Sequence, residues 1–116
     1  MNIKILKNDD EIYIIEPQNE LNLYSSNQLK ELVMKMIELK IERFIISLKK
    51  VENVNSAGIG ALIYISSTIK KLNFSLAITG INKPVEKAIN AIRLSGYFPI
   101  TGSLREAVDL VRQGGV

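Results

Sequence analysis

Apolar residues recur along this chain with two different spacings, and the changes of spacing mark its elements. Ile3 and Ile5, then Ile12 and Ile14, alternate with polar positions around the polar run Lys7-Asn8-Asp9-Asp10-Glu11. That pattern predicts two strands in a hairpin, the second ended by Pro17. Asn22 to Ser26 carries helix-start chemistry, with Ser25 and Gln28 spaced as a capping box. Leu29, Leu32, Val33, Met36 and Ile37 then make one apolar stripe opposite Lys30, Glu31, Lys35 and Glu38. Arg43 to Leu48 reads as a buried strand, followed by a polar turn over Lys49-Lys50-Val51-Glu52-Asn53. Ala57 to Lys71 returns to helical spacing through Ile59, Leu62, Ile63, Ser66 and Ile69, and Phe74 to Thr79 is the next strand. Asn82-Lys83-Pro84 opens a helix lined by Val85, Ala88, Ile89 and Ile92 and closed at Ser95-Gly96. Tyr97 to Ile100 reads as a short strand. Ser103 with Glu106 is a second capping box, opening a last helix along Leu104, Ala107, Val108 and Val111 that frays at Gly114-Gly115.

The order is β-β-α-β-α-β-α-β-α. Strand, helix, strand implies right-handed crossovers and parallel pairing, so the predicted fold is α/β: a mainly parallel sheet with an antiparallel edge hairpin and four packed helices. With 116 residues, 47% apolar and 23% charged, the chain is expected to be one domain over 1–116 with its core at about 2–112. Loops that follow strands gather beyond the carboxyl ends of such a sheet. Glu20 to Ser25, Asn53 to Ser56 and Gly80 to Pro84 are therefore expected to share a face.

The chemistry is narrowed by what is missing. With no cysteine and no histidine there is no disulfide, no thiolate metal site, no imidazole base and no Ser-His-Asp arrangement. The reading is therefore no metal, no cofactor and no enzyme. Catalysis would fall to Glu20, Glu52 or Tyr24, and no spacing joins any of them to a nucleophile. No apolar stretch approaches the ~20 residues that span a bilayer, and no leader pattern opens the chain, so the expected location is the cytoplasm, without membrane insertion. The net charge of +3 is scattered through short pairs such as Lys49-Lys50 and Lys70-Lys71, without interleaved aromatics, and direct nucleic-acid binding is not expected.

The most informative stretch is Asn55-Ser56-Ala57-Gly58-Ile59-Gly60, where an apolar strand region hands over to a helix. Ser56 is expected at the helix N-cap, where a phosphate would meet free amides and the positive end of the helix dipole. The plain alternative is a serine that only caps, beside glycines that only allow close packing.

These residues carry a resemblance to the STAS domain, and within it to the bacterial anti-sigma factor antagonists. Asn55-Ser56-Ala57-Gly58-Ile59-Gly60 is similar to that family's Asp-Ser-Ser/Thr/Ala-Gly-Leu-Gly signature. Glu20-Leu21-Asn22 resembles its Gly/Glu-Leu/Ile-Asp segment, and Ile100-Thr101-Gly102-Ser103-Leu104-Arg105-Glu106-Ala107 resembles its closing strand and helix. The resemblance implies a cytoplasmic regulatory module, a monomer or weak dimer, whose serine at position 56 is phosphorylated by a partner that is both an anti-sigma factor and a serine kinase. Only the unphosphorylated form then binds the partner and frees the sigma factor, and a phosphatase would reset the switch. The expected partner surface comprises Asn22, Tyr24, Asn55, Ser56, Ala57, Gly58, Ile59 and Asn82. Two family aspartates are asparagine here, Asn22 and Asn55, which keeps the turn and capping geometry and removes both charges. The alternative reading is a non-phosphorylated STAS scaffold or accessory subunit in a signalling or lipid-transport complex.

Overall fold

The computed structural model describes residues 2–94 and 96–114. The elements in chain order are β1 (Ile3–Lys7), β2 (Tyr13–Pro17), β3 (Asn19–Leu21), α1 (Leu23–Glu38), β4 (Arg43–Ser47), β5 (Val51–Val54), α2 (Ser56–Lys71), β6 (Ser75–Thr79), α3 (Lys83–Ala91) and α4 (Leu104–Arg112). The central sheet has the order β1-β2-β4-β6, with β1 antiparallel to β2 and the other pairs parallel. This is the expected α/β sheet with an antiparallel edge hairpin and four helices.

Period-two alternation along the strands sorts their side chains onto two faces. Ile15, Phe44, Ile46, Leu76 and Ile78 join the main core with Leu29, Val33 and Met36 of α1 and Leu62, Ile65 and Ile69 of α2. Ile12, Ile14, Ile45 and Ala77 form a second cluster with Ala107 and Val111 of α4, with Val108 and Leu110 packed at its margin. One face is thus covered by a layer of helices and the other by a single nine-residue helix. The hairpin is tied to the end of α4 by the Arg112 Nε–Asp10 Oδ2 hydrogen bond of 2.9 Å.

Several boundaries differ from the sequence reading. Of the stretch read as a polar turn after β4, Lys49-Lys50 is a turn and Val51 onward is strand β5, which pairs in parallel with β3 as a separate two-stranded sheet, Leu21 opposite Val54. Each strand is held by the other rather than by its own composition, so neither shows in a local pattern. The capping box of α1 is Asn22 with Ser25, not Ser25 with Gln28: Asn22 Oδ1 accepts from the Ser25 amide at 3.0 Å, and Ser25 Oγ accepts from the Asn22 amide at 3.0 Å. Helix α3 ends at Ala91, earlier than Ser95-Gly96, because Arg93 takes the left-handed conformation (φ 57°) that stops it. Ser95 of that expected closure, like Gly115 of the expected terminal fray, lies outside the described residues. The strand expected over Tyr97 to Ile100 is a single bridge, Ile78 to Ile100. Ser103 does cap α4, accepting from the Glu106 amide at 3.1 Å, while the Glu106 carboxylate accepts from Gly102 rather than from the cap residue itself.

Candidate functional site

The small β3–β5 sheet builds the candidate face. Asn22 follows Leu21 and Asn55 follows Val54, so pairing those two strand ends sets the starts of α1 and α2 side by side. The Asn55 amide donates to the Leu21 carbonyl at 3.2 Å and fixes the junction. Gly58 makes the approach possible: a Cβ there would lie 2.6 Å from the Leu21 carbonyl oxygen and 2.8 Å from Leu21 Cβ. The third loop joins at the other end of β5, where Asn82 Nδ2 donates to the Val51 carbonyl at 2.7 Å. All three expected loops therefore meet around β5, those of Asn22 and Asn55 most closely.

Each of the three helices opens on an asparagine in extended backbone, at Asn22, Asn55 and Asn82. The side chain of each accepts from the amide three residues on, that of Asn55 from Gly58 at 3.1 Å. This corrects the expectation for Ser56. Asn55 is the cap of α2, and Ser56 is the first helical residue. Asn55 Oδ1 already reaches the third-position amide that a serine cap would serve. The Ser56 side chain is exposed, and its hydroxyl makes no hydrogen bond among the described residues. Neither α1 nor α2 has an acidic residue in its first turn, so no side chain of that turn offsets the partial positive charge of either helix start.

The other expected surface residues divide by depth. Tyr24 is 70% exposed, with its hydroxyl accepting from Gln28 Nε2 at 3.1 Å. Asn22 and Asn55 are exposed and Ala57 is half-buried. Gly58 is buried, and Ile59 is 6% exposed within the main core. These two shape the surface from below rather than standing on it. Asn82 is half-buried, with its amide nitrogen and oxygen both engaged. Leu23, 67% exposed at the first position of α1, is an apolar member of this face that the sequence reading did not single out. Its only signal was an apolar residue off the stripe that begins at Leu29.

Glu20, Tyr24 and Glu52 line one open depression together with Asn22 and Ser25. The hydroxyl in that depression is committed, since Ser25 Oγ donates to the Glu20 carbonyl at 2.7 Å. No described helix is long and apolar enough to cross a membrane.

The STAS domain family model matches residues 4–107. Among solved structures, a candidate anti-sigma factor antagonist from Thermotoga maritima is similar at 23% identity, over 95% of this chain and 94% of that one, with a TM-score of 0.86. The anti-sigma factor antagonist SpoIIAA in its unphosphorylated form is similar at 16% identity, over 97% of each chain, with a TM-score of 0.79. A serine-to-glutamate variant of RsbS from Moorella thermoacetica is similar at 22% identity, over 97% of each chain, with a TM-score of 0.78. At these identities the likeness is one of fold.

Proposed function

The chain belongs to the STAS domain family, and from that premise we propose that it is an anti-sigma factor antagonist, a cytoplasmic binding module rather than an enzyme. It binds an anti-sigma factor that is also a serine kinase, through the face around Ser56, and so releases a sigma factor. Phosphorylation of Ser56 ends the binding, and a phosphatase restores it. The observation that carries this reading is the uncommitted hydroxyl of Ser56: Asn55 does the capping, which leaves Ser56 exposed at a helix start free of acidic neighbours in its first turn.

The energetics favour a switch in binding over a switch in folding. A phosphate adds about −1.5 to −2 charges at pH 7, and its place at a helix N-terminus is favourable by only ~0.3–1 kcal/mol. Forcing that charge into an interface that lacks partners for it costs ~1–3 kcal/mol or more, and each ~1.4 kcal/mol is tenfold in affinity. The interface effect is the larger. Incubation with the cognate kinase and ATP, followed by mapping of the phosphate, tests the reading. Phosphate on Ser56 and at least about tenfold weaker kinase binding by Ser56→Asp are expected. An unmodified Ser56, or equal binding by that variant, overturns the switch.

One observation favours a second reading. Both positions where the family carries aspartate hold asparagines whose side-chain oxygens are engaged as caps, so no carboxylate is presented there. A non-phosphorylated scaffold or accessory subunit in a signalling or lipid-transport assembly has no need of one. Stable co-purification in a large complex, with unchanged function in Ser56→Ala, would select it.

A further inference from the structure

The sheet face under α4 holds a second feature, on the opposite side from the main helix layer and independent of Ser56. Helix α4 packs on β4 and β6 and leaves the β1 and β2 side of that face only partly covered. The gap is a cavity of about 190 Å³ at the carboxyl ends of the parallel strands, lined by Leu6, Ile14, Glu16, Ser47, Thr79 and Leu104 together with Lys49 and the loop residues Gly80, Gly102 and Ser103. Carboxyl ends of parallel strands are where ligands bind in open α/β sheets.

Glu16 is the unexpected member. Strand position 16 points to the α4 face, as Ile12 and Ile14 do, and Glu16 is only 5% exposed. Burying a carboxylate is costly unless it is paired. The contact found for it among the described residues is Lys49 Nζ at 3.6 Å, from a side chain that is itself 61% exposed. Lys4, opposite Glu16 in the β1–β2 register, is exposed and forms no ion pair with it. An ionised carboxylate offers about four acceptor positions, so one long contact leaves most of them open. Ser47 and Thr79, each 4% exposed and paired in register, extend the row of oxygens across the sheet from Glu16. Leu6, Ile14 and Leu104 supply an apolar wall.

We infer that this cavity is a binding site for a guanidinium or ammonium group carried on a short aliphatic stem. The cationic head is held by Glu16 with the Ser47 and Thr79 hydroxyls, and the stem lies on Leu6, Ile14 and Leu104. The cavity is smaller than the ~300–1,000 Å³ of a typical drug-sized pocket, which matches a group the size of one arginine or lysine side chain. That chemistry comes either from a free small amine or from a basic side chain on a polypeptide.

Titration of the isotopically labelled protein with agmatine, followed by amide NMR shifts, tests the inference. Saturable shifts at Leu6, Ser47, Thr79 and Gly80 are expected, with little effect from butyrate or n-butanol. Glu16→Gln, nearly identical in shape, should weaken agmatine at least about tenfold, the loss expected for one charge-assisted hydrogen bond. Absence of saturable shifts, equal shifts with butyrate or n-butanol, or unchanged affinity in Glu16→Gln overturns the site. The comparison of agmatine with its anionic and neutral analogues needs only the wild-type protein, so it decides the matter even if Glu16→Gln folds poorly. Tighter binding of agmatine than of a capped arginyl tripeptide identifies a free amine as the source, and the reverse order identifies a polypeptide side chain.

Discussion

The starts of α1 and α2 lie side by side, both capped by asparagine in extended backbone, and both have a serine in the first turn. In α1 that serine is Ser25, at the third helical position, where it closes a box with Asn22 and also donates to the Glu20 carbonyl. In α2 the third position is Gly58, which has no side chain to close a box, and the serine is moved to the first position as Ser56. Ser25 is thereby half-buried and committed, and Ser56 is exposed with no hydrogen-bond partner among the described residues. The difference shows what a serine at a helix start signifies. The hydroxyl at the third position serves the backbone, and the one at the first makes no hydrogen bond among the described residues.

The comparison breaks most severely at Gly58. Replacement by alanine places a Cβ against the Leu21 backbone carbonyl, which has no flexible end to move aside. Gly58→Ala should lose about 1–3 kcal/mol, read as a fall in the thermal midpoint of roughly 4 °C per kcal/mol for a domain of this size. Ser25→Ala removes the box hydrogen bond from the Asn22 amide and the one to the Glu20 carbonyl, and should cost about 1 kcal/mol in denaturant unfolding. Gly60, only two residues beyond Gly58, gives the opposite sign: a Cβ there has nothing within 4 Å. Gly60→Ala should stabilise the protein by about 0.5–1 kcal/mol, because glycine is a poor helix former. Equal effects at Gly58 and Gly60 would show that the β3–α2 contact does not hold the two helix starts together.

Residues that act through their neighbours in sequence were legible, and those that act through distant ones were not. Runs such as Phe44 to Leu48 and Phe74 to Thr79 announce buried strands, and the stripe through Leu29, Val33 and Met36 announces a helix. Asn19–Leu21 and Val51–Val54 are polar and short, and become strands only by pairing across about thirty residues of chain. Without that pairing in view, Ser56 passed for the cap, since either residue of the Asn55-Ser56 pair has capping chemistry. Glu16 was not singled out in the sequence, because its burial comes from residues distant along the chain, at the β4 and β6 strand ends and the start of α4. Tyr24 was legible as a member of the face, but not its exposure, which depends on how far the α1 stripe reaches toward the first turn.

The smallest predicted effect on stability separates the two serines most cleanly. Ser56→Asp puts a negative charge in the first turn of α2, where the helix dipole favours it and no acidic residue stands in that turn. The aspartate displaces no hydrogen bond found for the Ser56 hydroxyl among the described residues, so folding should gain about 0.3–0.5 kcal/mol at low salt. That gain should shrink as added salt screens the dipole interaction. Ser25→Asp is the matched control: it replaces the hydroxyl that donates to the Glu20 carbonyl with a group that cannot donate, and should destabilise. Denaturant unfolding of the two variants at low and high salt checks both signs. If Ser56→Asp is destabilising by as much as Ser25→Asp, the Ser56 hydroxyl is a structural group after all, and a phosphate on it would act by loosening the fold. If it stabilises while weakening the kinase complex, stability and binding respond in opposite directions to one charge, as a switch confined to the surface requires.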